Sequence, residues 1–325
     1  MRIVVSMGDA NGIGLEVFLK AAKRIFESRA DIHLTLAGNP QTISEYISKI
    51  QNQLDFDVYF NGEISIDKQV ISICDSAIYS PVKFGEISPI SGKLAGRAIE
   101  AAISGTMMGS YEAMVTLPIS KEALNMGGYN FTGHTEFLEY MCEANKPLMI
   151  LCTEGLNVAL VTIHESLRNV PEMITVDLVH QRIAQFFATL KKDFANKEPN
   201  IAVLSLNPHA GENGKMGDEE NNIIIPAMQS SEYKEYLSGP FPADGFFAHG
   251  EYKNYDGVLA MYHDQGLIPL KLIANGAGVN FTAGLPIVRT SPDHGTGFAI
   301  SGQGIADEES TYQAILLAEK IAKSR

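Results

Sequence analysis

Residues 262–304 read YHDQGLIPLKLIANGAGVNFTAGLPIVRTSPDHGTGFAISGQG. In this stretch, charged and amide side chains alternate with glycines, prolines and short apolar runs, a pattern that neither a plain helix nor a plain strand requires. We interpret it as loops at the ends of buried strands, where open α/β folds carry their ligand-binding groups. The alternative is a set of solvated loops with a few hydrogen-bonded polar residues.

Outside this stretch, short apolar runs alternate with segments of helical periodicity. Strand-like runs occupy residues 3–6, 33–37, 70–74, 113–118 and 201–206, and helix-like segments occupy residues 42–50, 91–108, 174–194 and 307–325. This alternation predicts an α/β fold with a largely parallel sheet. The runs LMILCT and LNVALVTIH, joined by Glu154 and Gly155, predict one antiparallel pair, so we expect the sheet to be mixed.

Composition excludes several classes of function. The chain has 325 residues, of which 45% are hydrophobic and 19% are charged, and no linker rich in Pro, Gly and Ser interrupts it, so we expect two lobes folded together. A formal net charge of -13 argues against a general nucleic-acid or anionic-membrane surface. The three cysteines follow no metal or redox spacing, and neither a signal peptide nor a membrane span is evident, which predicts a cytoplasmic protein.

Three histidines follow apolar runs. His164 ends LNVALVTIH, His209 follows IAVLSLNP, and His263 ends GVLAMYH. If these runs are strands of one sheet, the imidazoles lie near the strand ends, and three imidazoles are a common set of ligands for zinc or another transition metal. For each histidine alone, a hydrogen-bonded structural role is the alternative. Asp264 and Asp244 are candidates to orient a ligand imidazole or to act as a base.

Basic and amide side chains recur at intervals of nine residues, at Lys271, Asn280 and Arg289. Such groups suit a substrate with phosphate and carboxylate groups, because Arg offers a bidentate fork and Lys a mobile charge. Surface solvation is the alternative for each, but basic residues within glycine-rich loops of an acidic protein favour an anionic ligand. Lys121 and His134 are further candidates, although His134 would alternatively cap a helix that begins near residue 135.

The N-terminal glycine loop, MGDANGIGLE, lies between a predicted strand and a predicted helix. Its glycines do not fit the G-x-G-x-x-G fingerprint, and no Lys-Ser/Thr pair follows them as in a P-loop. We therefore interpret the loop as a tight strand-to-helix turn that needs the permissive backbone of glycine.

The chain contains, in order, the motifs GDANGIGLE, TLPISKEAL, GHTEFL, VTIHESL, NPHAGENGKMGDEE, PADGFF, YHDQGLIPLK, VNFTAGLPIVRTSPDHGTGF and SGQGIAD. Through them the whole chain resembles the 4-hydroxythreonine-4-phosphate dehydrogenases of pyridoxal phosphate biosynthesis. The resemblance implies a two-lobed α/β homodimer, similar in fold to isocitrate and isopropylmalate dehydrogenases, with its active site in the interlobe cleft. We expect the first lobe to comprise residues 1–130 with 285–325, and the second to comprise residues 131–284.

The resemblance also implies roles for individual residues. The cofactors would be NAD or NADP and one divalent metal ion per site, zinc, magnesium or cobalt, and the partner subunit would supply the third metal ligand. Protons would be moved by Lys271, Asp264 or Asp244. The metal ligands are then His164, His209 and His263, the substrate contacts His134, Thr135, Lys271, Asn280 and Arg289, and the cofactor-binding residues Asp293, His294, Gly295 and Thr296.

The implied reaction is the oxidation of 4-phosphooxy-L-threonine at C3 by hydride transfer to the nicotinamide, followed by decarboxylation to 3-amino-2-oxopropyl phosphate. Ala10 and Leu15 stand where the family commonly has proline, and FAISGQ at residues 298–303 replaces the common FDIAGK, so the choice between NAD and NADP stays open. The alternatives are a dehydrogenase of erythronate or threonate phosphate, a metal-dependent hydrolase, and a non-catalytic sensor of a phosphorylated metabolite.

Overall fold

The computed structural model describes residues 1–29, 31–131, 133–144 and 146–325. The strands are β1 (Arg2–Ser6), β2 (His33–Gly38), β3 (Val58–Phe60), β4 (Ile64–Ile66), β5 (Gln69–Asp75), β6 (Ala113–Thr116), β7 (Leu148–Thr153), β8 (Leu156–Leu160), β9 (Ile201–Leu204), β10 (Leu237–Phe241), β11 (Gly257–Ala260), β12 (Val279–Ala283) and β13 (Arg289–Pro292). The helices are α1 (Gly14–Ser28), α2 (Pro40–Ile50), α3 (Pro89–Met107), α4 (Lys121–Met126), α5 (His134–Met141), α6 (Val170–Met173), α7 (Val176–Lys192), α8 (Ile225–Ser230), α9 (Ala243–Ala248), α10 (His263–Ala274) and α11 (Glu309–Ser324). None of these helices is long and apolar enough to cross a membrane.

The chain divides into two compact units. Unit 1 consists of Met1–Pro147 and Leu285–Lys323, and unit 2 consists of Leu148–Gly284 and Ser324–Arg325. Residues 131–147 therefore belong to unit 1.

Unit 1 is built on a mixed sheet with the strand order β13-β6-β1-β2-β5-β4-β3. The pairs β13-β6, β6-β1, β1-β2 and β2-β5 are parallel, and among the described residues of unit 1 only β3, β4 and β5 form antiparallel pairs. The side chains of β6 and of β1 after Arg2 are buried, as expected for parallel strands covered on both faces. The carboxyl ends of β1 and β6 are thereby placed side by side.

Unit 2 carries the strand order β10-β9-β11-β8-β7-β12. The strands β8, β9, β10 and β11 run parallel, whereas β7 pairs antiparallel with both β8 and β12. The predicted hairpin of β7 and β8 is confirmed, and so is the α/β class with a mixed, largely parallel sheet. Because β9, β11 and β8 are parallel neighbours, their carboxyl ends lie at one edge of this sheet.

Polar side chains start several helices as their sequences predict. Asn39, Ser88, Ser120 and Thr175 each precede a helix, and each side chain accepts a hydrogen bond from a backbone N–H of the first turn. Proline follows directly at the starts of α2 and α3, where its fixed φ suits the first helical position.

The loop interpretation of residues 262–304 is wrong for three of its polar residues. Lys271 lies in α10, Asn280 in β12, and Arg289 begins β13. The helix α10 continues through Pro269 because Leu267 and Leu270 are buried in the core of unit 2, which outweighs the lost backbone hydrogen bond. A Cβ at Gly266 would lie 2.7 Å from a Val158 methyl carbon, so glycine allows α10 to approach the sheet closely.

Candidate functional site

Arg289 is a buried cation in unit 1. Its side chain is 2% exposed, and its Nε and Nη2 donate to Thr116 Oγ1 at 3.1 and 2.6 Å. Burial lowers the pKa of Arg289 from 12.5 to about 9, so the guanidinium still carries its charge at neutral pH. A poorly solvated positive charge favours an anionic ligand, which supplies the stabilisation that water cannot.

His134, the first residue of α5, is a neutral imidazole near this cation. Its pKa lies well below the ordinary 6.5, mainly because of burial and further because of the positive charges of Arg289 and Lys121, while a hydrogen bond with the backbone of Leu117 opposes the shift. Its Nε2 atom is buried and has no hydrogen-bond partner. Gly133 is the N-cap residue, so His134 is not the helix cap that we considered as the alternative. The half-buried Thr135 follows in the first turn of α5.

Close packing fixes the segment that leads to these residues. The backbone of Leu117 bonds to Ser6 in β1 at 3.2 Å, and Pro118 accepts from the N–H of Asp9 at 2.9 Å. Where α3 crosses α4, a Cβ at Gly92 would overlap the backbone of α4, so glycine is required for this contact. The predicted anion-binding residues of unit 1 are therefore held by the sheet and by α3.

The predicted cofactor-binding residues, 293–296, lie against the N-terminal glycine loop. The N–H of Asp293 donates to Ser310 Oγ at 2.9 Å, and the carbonyl of Thr296 accepts from the N–H of Ile13 at 2.9 Å. A Cβ at Gly12 would lie 2.6 Å from the carbonyl oxygen of Thr296, which explains the glycine. His294 Nε2 is buried without a hydrogen-bond partner, and Gly295 is exposed. This loop therefore combines an open backbone with an unsatisfied polar atom, which fits a polar ligand.

The three predicted metal ligands follow neighbouring strands in unit 2. His164, His209 and His263 come after the carboxyl ends of β8, β9 and β11. The rings of His164 and His263 are 5.7 Å apart between centroids, and both His164 and His209 are exposed. Across the described ranges, no three His, Cys, Asp or Glu side chains converge closely enough to hold a metal ion. A single chain thus brings two of the three predicted ligands together.

The surroundings of His263 fit a role as a metal ligand. Its Nδ1 lies 2.7 Å from Asp264 Oδ1, and the Asp264 side chain is 65% exposed. A carboxylate bonded to one ring nitrogen orients the imidazole and leaves the other nitrogen for a metal ion, an arrangement common at histidine metal sites. The imidazole pair and its carboxylate are therefore suitable donors for a divalent transition metal.

His209 lies in a left-handed turn that the sequence did not predict. Residues 209–213 all have positive φ, with 54° at His209, 50° at Ala210, 44° at Glu212 and 56° at Asn213. For residues other than glycine, this conformation costs on the order of 1–2 kcal/mol each. Strained backbone of this kind is concentrated at functional sites, where the surrounding structure holds it in place.

The remaining predicted residues of unit 2 lie in regular elements. Lys271 is exposed on α10, and Asp244 is exposed in the first turn of α9. Asn280 is paired with Leu151 across β12 and β7, and its Oδ1 is buried without a hydrogen-bond partner. Asn280 therefore presents an amide oxygen that nothing described in the protein satisfies.

Comparison with known proteins agrees with the family that the motifs indicate. Residues 18–318 match the family of the pyridoxal phosphate biosynthetic protein PdxA. The chain belongs to this family. Its PdxA relatives include the 4-hydroxythreonine-4-phosphate dehydrogenase of Bacteroides thetaiotaomicron, which is 41% identical over 100% of this chain and 90% of its own length. The predicted family is thus confirmed.

This PdxA family member is also similar to solved structures of 4-hydroxythreonine-4-phosphate dehydrogenases. A crystal structure of 4-hydroxythreonine-4-phosphate dehydrogenase from Klebsiella pneumoniae superposes with a TM-score of 0.86, at 37% identity over 99% of this chain and 98% of that one. A terephthalate 1,2-cis-dihydrodiol dehydrogenase from Burkholderia xenovorans LB400 has a TM-score of 0.65 at 25% identity, over 98% of both chains. The fold is therefore also found in a dehydrogenase whose name specifies a different substrate.

Several polar residues of this PdxA family member were missed in the sequence. Thr116 contacts Arg289, and Glu220 and Gln265 are buried near the histidine-bearing strand ends. Each lies inside a motif but carries no metal-ligand or base pattern of its own. For Thr116 and Gln265 the available signal was a polar residue beside a strand end or a candidate histidine, as in YHDQ, whereas Glu220 has no such neighbour.

Proposed function

We propose that the chain catalyses the NAD(P)-dependent oxidation of 4-phosphooxy-L-threonine at C3, followed by decarboxylation to 3-amino-2-oxopropyl phosphate and CO2, in pyridoxal phosphate biosynthesis. Family membership supports an oxidoreductase of this pathway. The observation that carries the residue assignment is that His134 Nε2, Asn280 Oδ1 and His294 Nε2 are buried without hydrogen-bond partners. Buried polar atoms are nearly always satisfied, so three unsatisfied ones at predicted ligand contacts favour binding of a polar ligand there.

The phosphate of the substrate is assigned to Arg289 and His134. Arg289 supplies a charge that burial leaves poorly solvated, and neutral His134 supplies a ring nitrogen. Lys121 and Thr135 lie in the same part of unit 1 and complete the set. An anion bound here would satisfy His134 Nε2 and add a favourable charge interaction with a guanidinium that burial destabilises.

The metal ion is assigned to the three histidines, with a homodimer as the active form. A bound divalent metal supplies Lewis acidity to a hydroxyl or carbonyl oxygen. The ring centroids of His164 and His263 are 5.7 Å apart within one chain, which supports a shared role for these imidazoles, and the resemblance implies that the third ligand is His263 of the partner subunit. The exposure of Ile268 at 58% and of Leu272 at 77%, one turn apart on α10, supports a subunit contact beside this site.

The chain's own groups then orient the reactants and move protons. Asp264 holds the ring of His263, while Asp264 and Lys271, both on α10, are the candidates for proton transfer. Asn280 would donate or accept a hydrogen bond at the polar end of the substrate. Residues 293–296 are assigned to binding of the nicotinamide cofactor, which when bound would supply the hydride acceptor.

A screen of phosphorylated hydroxy acids tests this proposal. The purified protein is mixed with NAD or NADP, a divalent metal, and 4-phosphooxy-L-threonine, erythronate 4-phosphate or threonate 4-phosphate, and reduced nicotinamide is followed by absorbance. Reduction with 4-phosphooxy-L-threonine at the highest kcat/KM supports the proposal. A higher kcat/KM with another acid favours the related dehydrogenase, release of inorganic phosphate without reduction favours the hydrolase, and binding without turnover favours the sensor.

A further inference from the structure

A buried glutamine joins the ends of two histidine-bearing strands in unit 2. Gln265, in the first turn of α10, is 9% exposed. Its Oε1 accepts from the N–H of Met261 at 2.7 Å, and its Nε2 donates to the carbonyl of Ser205 at 2.6 Å. Met261 follows β11 and precedes His263, whereas Ser205 follows β9 and precedes His209. One amide side chain therefore links the two segments that follow the paired strands β9 and β11.

Thr162 connects the third strand to the same point. Its N–H and its Oγ1 both donate to the carbonyl of Met261, at 3.2 and 2.8 Å. Thr162 follows β8 and lies two residues before His164. Met261, which follows β11, is thus hydrogen-bonded both to Thr162 after β8 and to Gln265, and Gln265 in turn bonds to Ser205 after β9.

A buried carboxylate holds the segment that carries His209. Glu220, at the start of a π-helical turn, is 2% exposed. Its Oε1 accepts from the N–H groups of Leu206 and Asn207, both at 2.8 Å, and its Oε2 accepts from Asn207 Nδ2 at 3.0 Å. A Cβ at Gly211 would lie 2.6 Å from Glu220 Oε2, so the carboxylate packs directly against the left-handed turn.

The left-handed turn at residues 209–213 depends on hydrogen bonds and packing from neighbouring residues such as Glu220. Its non-glycine residues adopt a backbone conformation that is unfavourable for L-amino acids, so the turn persists only where the surroundings determine it. Hydrogen bonds from N–H groups to an ionised carboxylate are among the strongest available in a protein. The carboxylate oxygens of Glu220 and the amide atoms of Gln265 are already engaged in hydrogen bonds within unit 2, so their contribution is orientation.

We propose that Glu220 and Gln265 are positioning residues of the metal site. Glu220 fixes the turn that presents His209, and Gln265 links the strand ends that precede His209 and His263. This inference rests on the proposed function, because it takes the three histidines as the metal ligands. Loss of either side chain would displace a ligand without removing it.

Cobalt binding to the metal-free protein tests the proposal without any turnover. Glu220→Gln keeps the size of the side chain but removes its charge and places an amide donor opposite Asn207 Nδ2, and Gln265→Met removes both hydrogen bonds at similar volume. The matched control is Glu235→Gln, which removes the same charge from an exposed position of unit 2. We expect Kd for Co²⁺ to rise roughly 10- to 100-fold in both test variants, as is common when a residue behind a metal ligand is lost, and to stay unchanged in the control.

The Co²⁺ visible spectrum is recorded at saturation, because displaced ligands alter it whereas a loss of stability alone does not. Urea unfolding identifies the folded variants. The proposal is overturned if a folded test variant binds Co²⁺ within twofold of the parent with the same spectrum. If only one variant folds, that variant decides, and if neither folds, the two side chains are structural and the proposal is rejected.

A fourth variant separates this inference from the metal assignment itself. His164→Ala removes one proposed ligand. If the parent binds no Co²⁺, or if His164→Ala binds it as tightly as the parent, the metal assignment in the proposed function fails and this inference fails with it. If parent binding requires His164 but Glu220→Gln and Gln265→Met bind normally, only the positioning role is refuted.

Discussion

Replacing Arg289 with methionine should separate substrate binding from stability. The buried side chain has a pKa of about 9 in place of 12.5, which at about 1.36 kcal/mol per pKa unit means that the interior disfavours its protonated form by about 5 kcal/mol. Because this pKa is depressed, the destabilisation is fully present below pH 9 and is relieved as pH rises from 9 towards 12.5. At neutral pH the ligand-free protein therefore carries the full cost, and a bound phosphate offsets part of it.

The expected result of Arg289→Met is a large loss of catalysis with little loss of stability. Removing a charged contact to a desolvated ligand commonly costs about 2–5 kcal/mol, equivalent to a fall in kcat/KM of roughly 30- to 4000-fold. The free energy of unfolding should stay within about 2 kcal/mol of the parent value, because loss of the hydrogen bonds to Thr116 is offset by removal of the buried charge.

Steady-state kinetics and thermal unfolding with inorganic phosphate test this expectation. Phosphate should raise the Tm of the parent and not that of Arg289→Met. The control is Arg97→Met, which removes an arginine that is 51% exposed and paired with Glu100 on the surface, where ion pairs contribute little. If Arg289→Met retains kcat/KM within threefold, or if phosphate stabilises it as much as the parent, Arg289 does not bind the substrate phosphate.

Three further predictions address the histidines and the cofactor. The pKa of His134 is lowered in the folded protein, so as pH falls below 6.5 the unfolded chain binds a proton at this residue before the folded protein does, and the fold loses stability. His134→Gln removes this loss and should move the acid-unfolding midpoint, measured by circular dichroism, to lower pH. After subunit exchange, a mixture of inactive His164→Ala and His263→Ala proteins should regain activity, because the resemblance implies that the partner subunit supplies His263. A mixture that exchanges subunits and restores no activity would contradict the shared site. Initial rates should show activity with NAD, because no basic pair follows residues 293–297 to hold a 2′-phosphate, and a strong preference for NADP would contradict this.

The strands of the histidine-bearing edge were predictable because burial on both faces leaves a clear trace in sequence. IAVL in β9 and GVLA in β11 are uninterrupted apolar runs, and every residue in them is buried. Polar residues that follow such runs within a few positions lie near the carboxyl end of the sheet, which is how His164, His209 and His263 could be placed there. Longer motifs in a fixed order then identified the family.

Local rules failed where packing overrides them. Gly266 and Pro269 both disfavour a helix, yet α10 forms because its apolar residues pack on β8 and β11. The strands β3 and β4 are three residues each, too short for alternation of apolar and polar residues to be recognised. For α10 the deciding contacts are made with distant strands of the chain, whereas β3 and β4 are held by local antiparallel pairing with each other and with β5.

The chemistry of the predicted site depends on such distant contacts even more than the fold does. In the sequence, Arg289 is one basic residue among glycines, for which solvation at the surface was the alternative. In the structure, β13 pairs with β6, and Arg289 meets Thr116, a residue 173 positions away, inside unit 1. Burial is what lowers the pKa of Arg289 and gives its charge a strong preference for an anion. The residue type therefore indicates which ligand is possible, whereas the pairing of two strands determines how strongly that ligand is favoured.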